Sequence, residues 1–234
     1  MIESETADVE VGSDEEELAD RLAERDDVED GPQSVGTLRD TFEEEELDSL
    51  PDDEILETSG ILSHVEENGE TIGHVLMIEW DDVDDVMNPI KTAKRYPGIS
   101  VLLRSSARNY HLYGLSVRDR NTQLVDAMRK NGDVYQARWA ARRGYFVLRL
   151  LAKRRSESRE PYKPAPEPVK VFNSESEHAQ SAPHIDILKE LATAAGREDL
   201  VDDLREAERE HELVGDGAKV DHYQTVTDEA KEVL

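Results

Sequence analysis

The chain has no cysteine, few aromatics (5% of residues) and no long apolar run. Without cysteine it cannot form a disulfide, a thiolate metal site, an iron–sulfur cluster or a thiol nucleophile. No stretch of about 18 or more apolar residues is present to cross a bilayer. The opening MIESETADVE carries acids where a secretion signal has a basic start. These absences predict a soluble, cytoplasmic protein with no membrane partner. Basic residues are also scarce: 28 Lys and Arg face 55 Asp and Glu over 234 residues, a formal net charge of −27.

The deficit of bases is not uniform. Residues 1–90 hold 32 acids and 3 bases, and residues 171–234 hold 17 acids and 6 bases. Between them, residues 91–170 hold 19 bases and 6 acids, a net charge of +13. A strongly basic segment between two acidic arms says more than the total does. Two causes fit the acidity: a tail that mimics or screens nucleic acid, and a surface adapted to concentrated salt. Arg outnumbers Lys 19 to 9 and acids crowd both ends, which favours salt adaptation. In molar salt the Debye length is only ~3 Å, so the basic segment must act through short-range Arg contacts to phosphate or to an acidic partner.

Residues 1–50 combine acid blocks with few aliphatics and are expected to form a largely disordered arm, with a short helix over 35–50 leading into the fold. A core is expected over residues 51–172, a linker over 173–182, and a small acidic helical region over 183–234. Within the core, residues 71–80 (TIGHVLMIEW) read as a buried strand. Residues 81–96 read as a helix interrupted or kinked by Pro89, residues 99–104 and 110–117 as strands, and residues 121–130 as a helix closed by Asn131-Gly132. Residues 145–151 (YFVLRLL) read as a fourth strand. The order β-α-β-β-α-β is that of an α+β, ferredoxin-like split β-α-β core with an antiparallel sheet. The four prolines between 161 and 168 predict extended chain. Residues 184–212 predict two helices broken near Gly196, a small surface for docking a protein partner.

Three constellations carry chemistry. Glu79 and Asp81 flank Trp80 at a strand's end, where alternate residues share a face and two carboxylates can chelate one divalent cation. Taken alone, such a pair in so acidic a chain reads better as helix N-terminal acids and part of a salt-adapted surface than as a cation site. Ser105 to His111 (SSARNYH) is a small polar turn that ends in a strand histidine, suited either to a nucleotide's phosphates or to a half-buried structural role. The third is a set of bases that includes Arg104, Arg108, Arg118, Arg138, Arg142, Arg143, Arg149 and Lys153, interleaved with Trp139, Tyr145 and Tyr162. These suit nucleic acid, with rings to stack on bases, or else they balance acids within the chain.

Together, Glu79-x-Asp81, Asn109-Tyr110-His111 after Ser105-Ser106, and the strand-like Arg142 to Arg149 resemble the motifs of the archaeo-eukaryotic primase superfamily, which includes primase-polymerases and plasmid replication proteins. The resemblance covers roughly residues 60–170. It implies an RRM-like catalytic half in which Glu79 and Asp81 hold Mg or Mn, His111 contacts nucleotide, and Arg108 or a neighbouring Arg meets the triphosphate. The third acid of that pattern is missing. Arg149 stands in its place, and no Asp or Glu occurs from Val134 through Ser156. The resemblance therefore implies a replication-associated nucleic-acid binder, DNA favoured, of plasmid or viral type, with an inactive primase-like core. A working metal-dependent nucleotidyltransferase and a non-enzymatic protein docked on an acidic partner are the alternatives. Oligomeric state stays open.

Overall fold

Strand β3 (Glu70–Trp80) is an inner strand of the larger sheet, and its near-continuous apolar stretch is buried on both faces, as its composition predicts. It pairs antiparallel with β5 (Asn109–Arg118), matching Met77 to Tyr113, Ile78 to Leu112 and Glu79 to His111. On the far side of β5 lies β4 (Ile99–Ser106), joined to it by a tight turn at Ala107-Arg108 and matching Leu103 to His111. Both β3 and β4 run antiparallel to β5, so they are parallel to each other. The connection between them passes through helix α1 (Met87–Lys94). β3, α1 and β4 thus form a β-α-β unit split by β5, within a mixed α+β fold. Outside it, β2 (His64–Glu67) pairs with β3, and β9 (Glu167–Asn173) pairs with β4.

The computed structural model describes residues 55–130, 132, 134–155 and 161–226. The expected acidic arm, the helix over 35–50 and the final helix after residue 226 lie outside the described residues.

Helix α1 is shorter than expected. Residues 81–86 stay out of it because Asp82 takes a positive φ of 51° and Asp85 accepts a hydrogen bond from the Met87 amide. Pro89 then falls in the first turn, where its missing N–H leaves no intrahelical bond unmade. Helix α2 (Arg120–Arg129) starts on Asp119, whose carboxylate accepts from the Thr122 amide. Helix α3 (Val134–Arg143) was not anticipated. One row of the sheet, Ser100 opposite Gly114, explains the close packing of helix α1 and the chain just after it. Tyr96 lies over Gly114, where a Cβ would sit 2.5 Å from the ring, and Ser100 donates to the Ala93 carbonyl.

The larger departure concerns the fourth strand. Residues 147–149 form β6 (Val147–Arg149), but it pairs with β1 (Ile55–Leu62) rather than with the split unit. A second antiparallel sheet holds β12 (Val220–Val226), β1, β7 (Lys153–Arg155) and β8 (Pro161–Lys163), with β6 also on β1. An apolar run identifies a strand but not its neighbour. β1 itself was hidden because Thr58 and Gly60 occupy inward positions where hydrophobes would announce it. Gly60 is required there: a Cβ would lie 2.7 Å from the Leu148 carbonyl oxygen and 2.9 Å from the Tyr223 ring.

Helices α4 (Ala182–Ala194) and α5 (Glu198–Glu208) form as expected, separated at Gly196 with φ 71°. Residues expected as a linker take part in the packing. Ser174 donates to the Tyr96 carbonyl, and Gln180 in β10 (Gln180–Ser181) pairs with Ser116, with β11 (Leu213–Val214) beyond it. One hydrophobic cluster runs from Ile61 to Ala207 and includes Leu188 and Leu204 of the two helices. Each fully buried Leu or Ile in it contributes about 2 kcal/mol.

Candidate functional site

Because directly opposed residues of an antiparallel pair share a face, the register of β3 on β5 sets the Glu79 and His111 side chains next to each other. The His111 Nε2 lies 3.5 Å from Glu79 Oε1. His111 is fully buried, whereas the Glu79 side chain keeps 28% of its surface exposed and forms the solvent-facing end of the pair. The backbone amide of Glu79 donates to Gln136 Oε1 at 3.1 Å, which fastens α3 to this end of β3. Asp81 follows immediately. The chain then turns, with the Asp82 amide donating to Asn109 Oδ1 at 2.7 Å.

The second sheet contributes two cations to the same centre. Arg149 on β6 is buried, and its guanidinium donates to the carbonyls of Leu151 and Ser105 at 3.1 Å each, and to that of Pro164. Lys153 on β7 is only 8% exposed, and its cross-strand partner Lys163 is 5% exposed. The sequence has no signal for this burial, since a count of bases does not reveal whether a guanidinium will find interior carbonyls. Two tyrosines complete the centre and were also missed, because strand aromatics read as ordinary core. Tyr113 is buried, its hydroxyl without a hydrogen-bond partner among the described residues, and half-buried Tyr223 comes from β12.

The charges are mutually adjusted. Burial pushes the Glu79 carboxyl up, but the hydrogen bond to His111 and the charges of Lys153 and Arg149 outweigh it and hold the group at about 2. Burial lowers the His111 imidazole, with the Glu79 carboxylate opposing, so the pair is a carboxylate beside a neutral ring at neutral pH. Burial lowers Lys153 to about 7, helped by Arg149 and Lys163 and opposed by Glu79 and Asp81. Burial also raises both Tyr113 and Tyr223, so both stay protonated phenols.

This donor set does not fit a pair of divalent cations. A two-metal centre needs carboxylates enough to offset two dications. Here Glu79 and Asp81 have the buried Arg149 and Lys153 in the same field, and the titration of Lys153 responds to both acids. Within that field a dication meets repulsion from the groups that already neutralise the acids.

The remaining bases divide by environment. Arg104 is buried and donates to the Ser106 and Ala107 carbonyls at 3.2 and 3.1 Å, bracing the β4–β5 turn. Arg108 is half-exposed and pairs with Asp82 at 3.1 Å and with Asp84, and Arg118 pairs with Asp126 at 2.9 Å. Arg104, Arg149 and Lys153 are thus placed inside the fold, not on the outer basic face expected of them; carbonyl partners account for the two arginines, and Lys153 lies on β7 opposite the equally buried Lys163. Arg138 and Arg142 are exposed on α3, while Arg143 is half-buried near Tyr223. Arg154 and Arg155 are exposed on β7, with the Arg155 guanidinium 5.9 Å from the centre of the Tyr162 ring. Comparison with protein-family models, characterised proteins and solved structures finds no match for this chain.

Proposed function

We propose that the protein is a replication-associated nucleic-acid binder, DNA favoured, built around a primase-like acid–histidine centre that has lost two-metal chemistry. The observation that carries this reading is the link between the centre and α3. The helix is tied to the Glu79 backbone through Gln136, and Arg138 and Arg142 of the same helix are exposed. An Arg-bearing helix next to a strand end with small polar turns is a surface on which a phosphate backbone lies in short-range contact. The inactive reading is supported by the buried Arg149 and by Lys153, whose charges act on Glu79 where a cation would need it. The exposed Arg155 lies 5.9 Å from the centre of the half-buried Tyr162 ring and adds a further cation to the basic segment.

The test is binding of single-stranded and duplex DNA by the full chain across a KCl series. Double charge reversal, Arg138→Glu with Arg142→Glu, is expected to weaken binding at every salt concentration. It should also lower the log–log salt slope by about 2 if each arginine meets one phosphate. Unchanged affinity and slope in a folded variant would refute the assignment of this surface.

A further inference from the structure

Between Glu43 and Glu54 the chain carries eight acids and no base, and Ile55, the first residue of β1, follows directly. That entry point lies beside bases. On one side β1 pairs with β7, which sets Leu56 opposite Arg155 and Glu57 opposite Arg154. Both arginines are exposed, and directly opposed strand residues lie about 5 Å apart. At no more than about 3.6 Å per residue, the chain keeps Asp52, Asp53 and Glu54 within about 11 Å of Ile55. Covalent connection alone therefore brings three acids into the neighbourhood of two guanidinium groups. No Asp or Glu stands from Val134 through Ser156 to neutralise those groups from their own segment. A salt-adapted surface calls for acids spread over the fold, not for a base-free acid run at the edge of its basic segment.

We propose that residues 43–54 dock on Arg154 and Arg155 of β7 as an internal competitor, their carboxylates occupying the guanidinium groups that otherwise meet phosphates. The docking stands on the strand register and the charges; its role as a competitor rests on the nucleic-acid reading. A carboxylate and a phosphate both offer paired acceptor oxygens to a guanidinium, so they compete for one donor fork. The arm needs little intrinsic affinity, because a tethered segment is present at its site at an effective concentration on the order of 1 mM. With a local dissociation constant of about 0.1 mM it occupies roughly nine-tenths of the molecules and weakens binding at these arginines about tenfold. In molar salt the Debye length is only ~3 Å, so close guanidinium–carboxylate pairs carry the contact and its hold relaxes as salt rises.

The experiment compares the full chain with a full-length variant in which every Glu of residues 43–54 is replaced by Gln and every Asp by Asn. Both are treated with phenylglyoxal at low and at molar KCl, and arginine adducts are located by peptide mass spectrometry. At low salt Arg154 and Arg155 are expected to react about tenfold faster in the variant. Arg129, exposed on α2, should react equally in both chains. Binding of a single-stranded oligonucleotide is expected to tighten about tenfold in the variant at low salt, with a smaller gain in molar KCl. In a background of Arg154→Gln with Arg155→Gln, the same arm substitutions should change affinity less than about twofold. A general relief of negative charge would instead tighten binding in both backgrounds, and that result would overturn the proposal. So would equal phenylglyoxal rates in the two chains. Faster arginine labelling with unchanged oligonucleotide affinity would overturn the competitor role. Faster labelling with no DNA binding by either chain would support the docking and refute the nucleic-acid reading instead.

Discussion

Replacing Lys153 by methionine removes a buried titrating group of similar length and changes how stability depends on pH. The folded protein holds the amine at about 7 against an ordinary 10.5, so between these values the unfolded chain binds the proton more tightly. Stability therefore rises with pH across that window; it is lowest where the buried amine must be charged, below about 7. At 1.36 kcal/mol per unit the shift corresponds to about 5 kcal/mol in all, of which roughly 2 kcal/mol falls between pH 7 and about pH 9. Urea unfolding in molar KCl at those two pH values, on the wild type and on Lys153→Met, isolates the contribution of this lysine. The wild type is expected to gain roughly 2 kcal/mol more than the variant on going to the higher pH. Equal gains in the two proteins would refute the argument that a basic group is buried beside Glu79 and Arg149.

Two further perturbations probe other parts of the account. Burial lowers His184 to about 4 from 6.5, so its stabilising neutral form is fully present above 6.5 and is lost as pH falls through 4. His184→Gln is expected to remove up to about 3 kcal/mol of acid sensitivity over that window, read as a lower midpoint in an acid titration followed by circular dichroism; an unmoved midpoint would count against it. Gly114→Ala sets a Cβ 2.5 Å from the Tyr96 ring and is expected to cost about 2 kcal/mol in denaturant unfolding. Adding Tyr96→Leu should recover part of that loss, and no recovery would mean that the ring is not what fills the site.

The elements whose own residues carry the signal were legible in advance. β3 announces itself by an unbroken apolar run, β5 by alternation, and the break between α4 and α5 by Gly196. β1 was not legible, because its inward positions include Thr58 and Gly60, residues chosen for close approach to β6 and Tyr223 rather than for hydrophobicity. β6 was recognised as a strand but its partner was not, since three apolar-flanked residues fit either sheet. In the candidate site, the contact between Glu79 and His111 followed from two strand positions that happen to be paired. The burial of Arg149 did not, because its three carbonyl partners come from Ser105, Leu151 and Pro164, brought together only by the tertiary fold. Charge composition revealed a basic segment but not which of its bases face inward.

The most direct test of the central claim is a nucleotide-incorporation assay on primed and unprimed single-stranded DNA with Mg or Mn, run beside DNA binding on the same preparation. The buried bases Arg149 and Lys153 acting on Glu79 predict DNA binding with no metal-dependent product. Product that requires Mg or Mn and disappears with Asp81→Ala would contradict it.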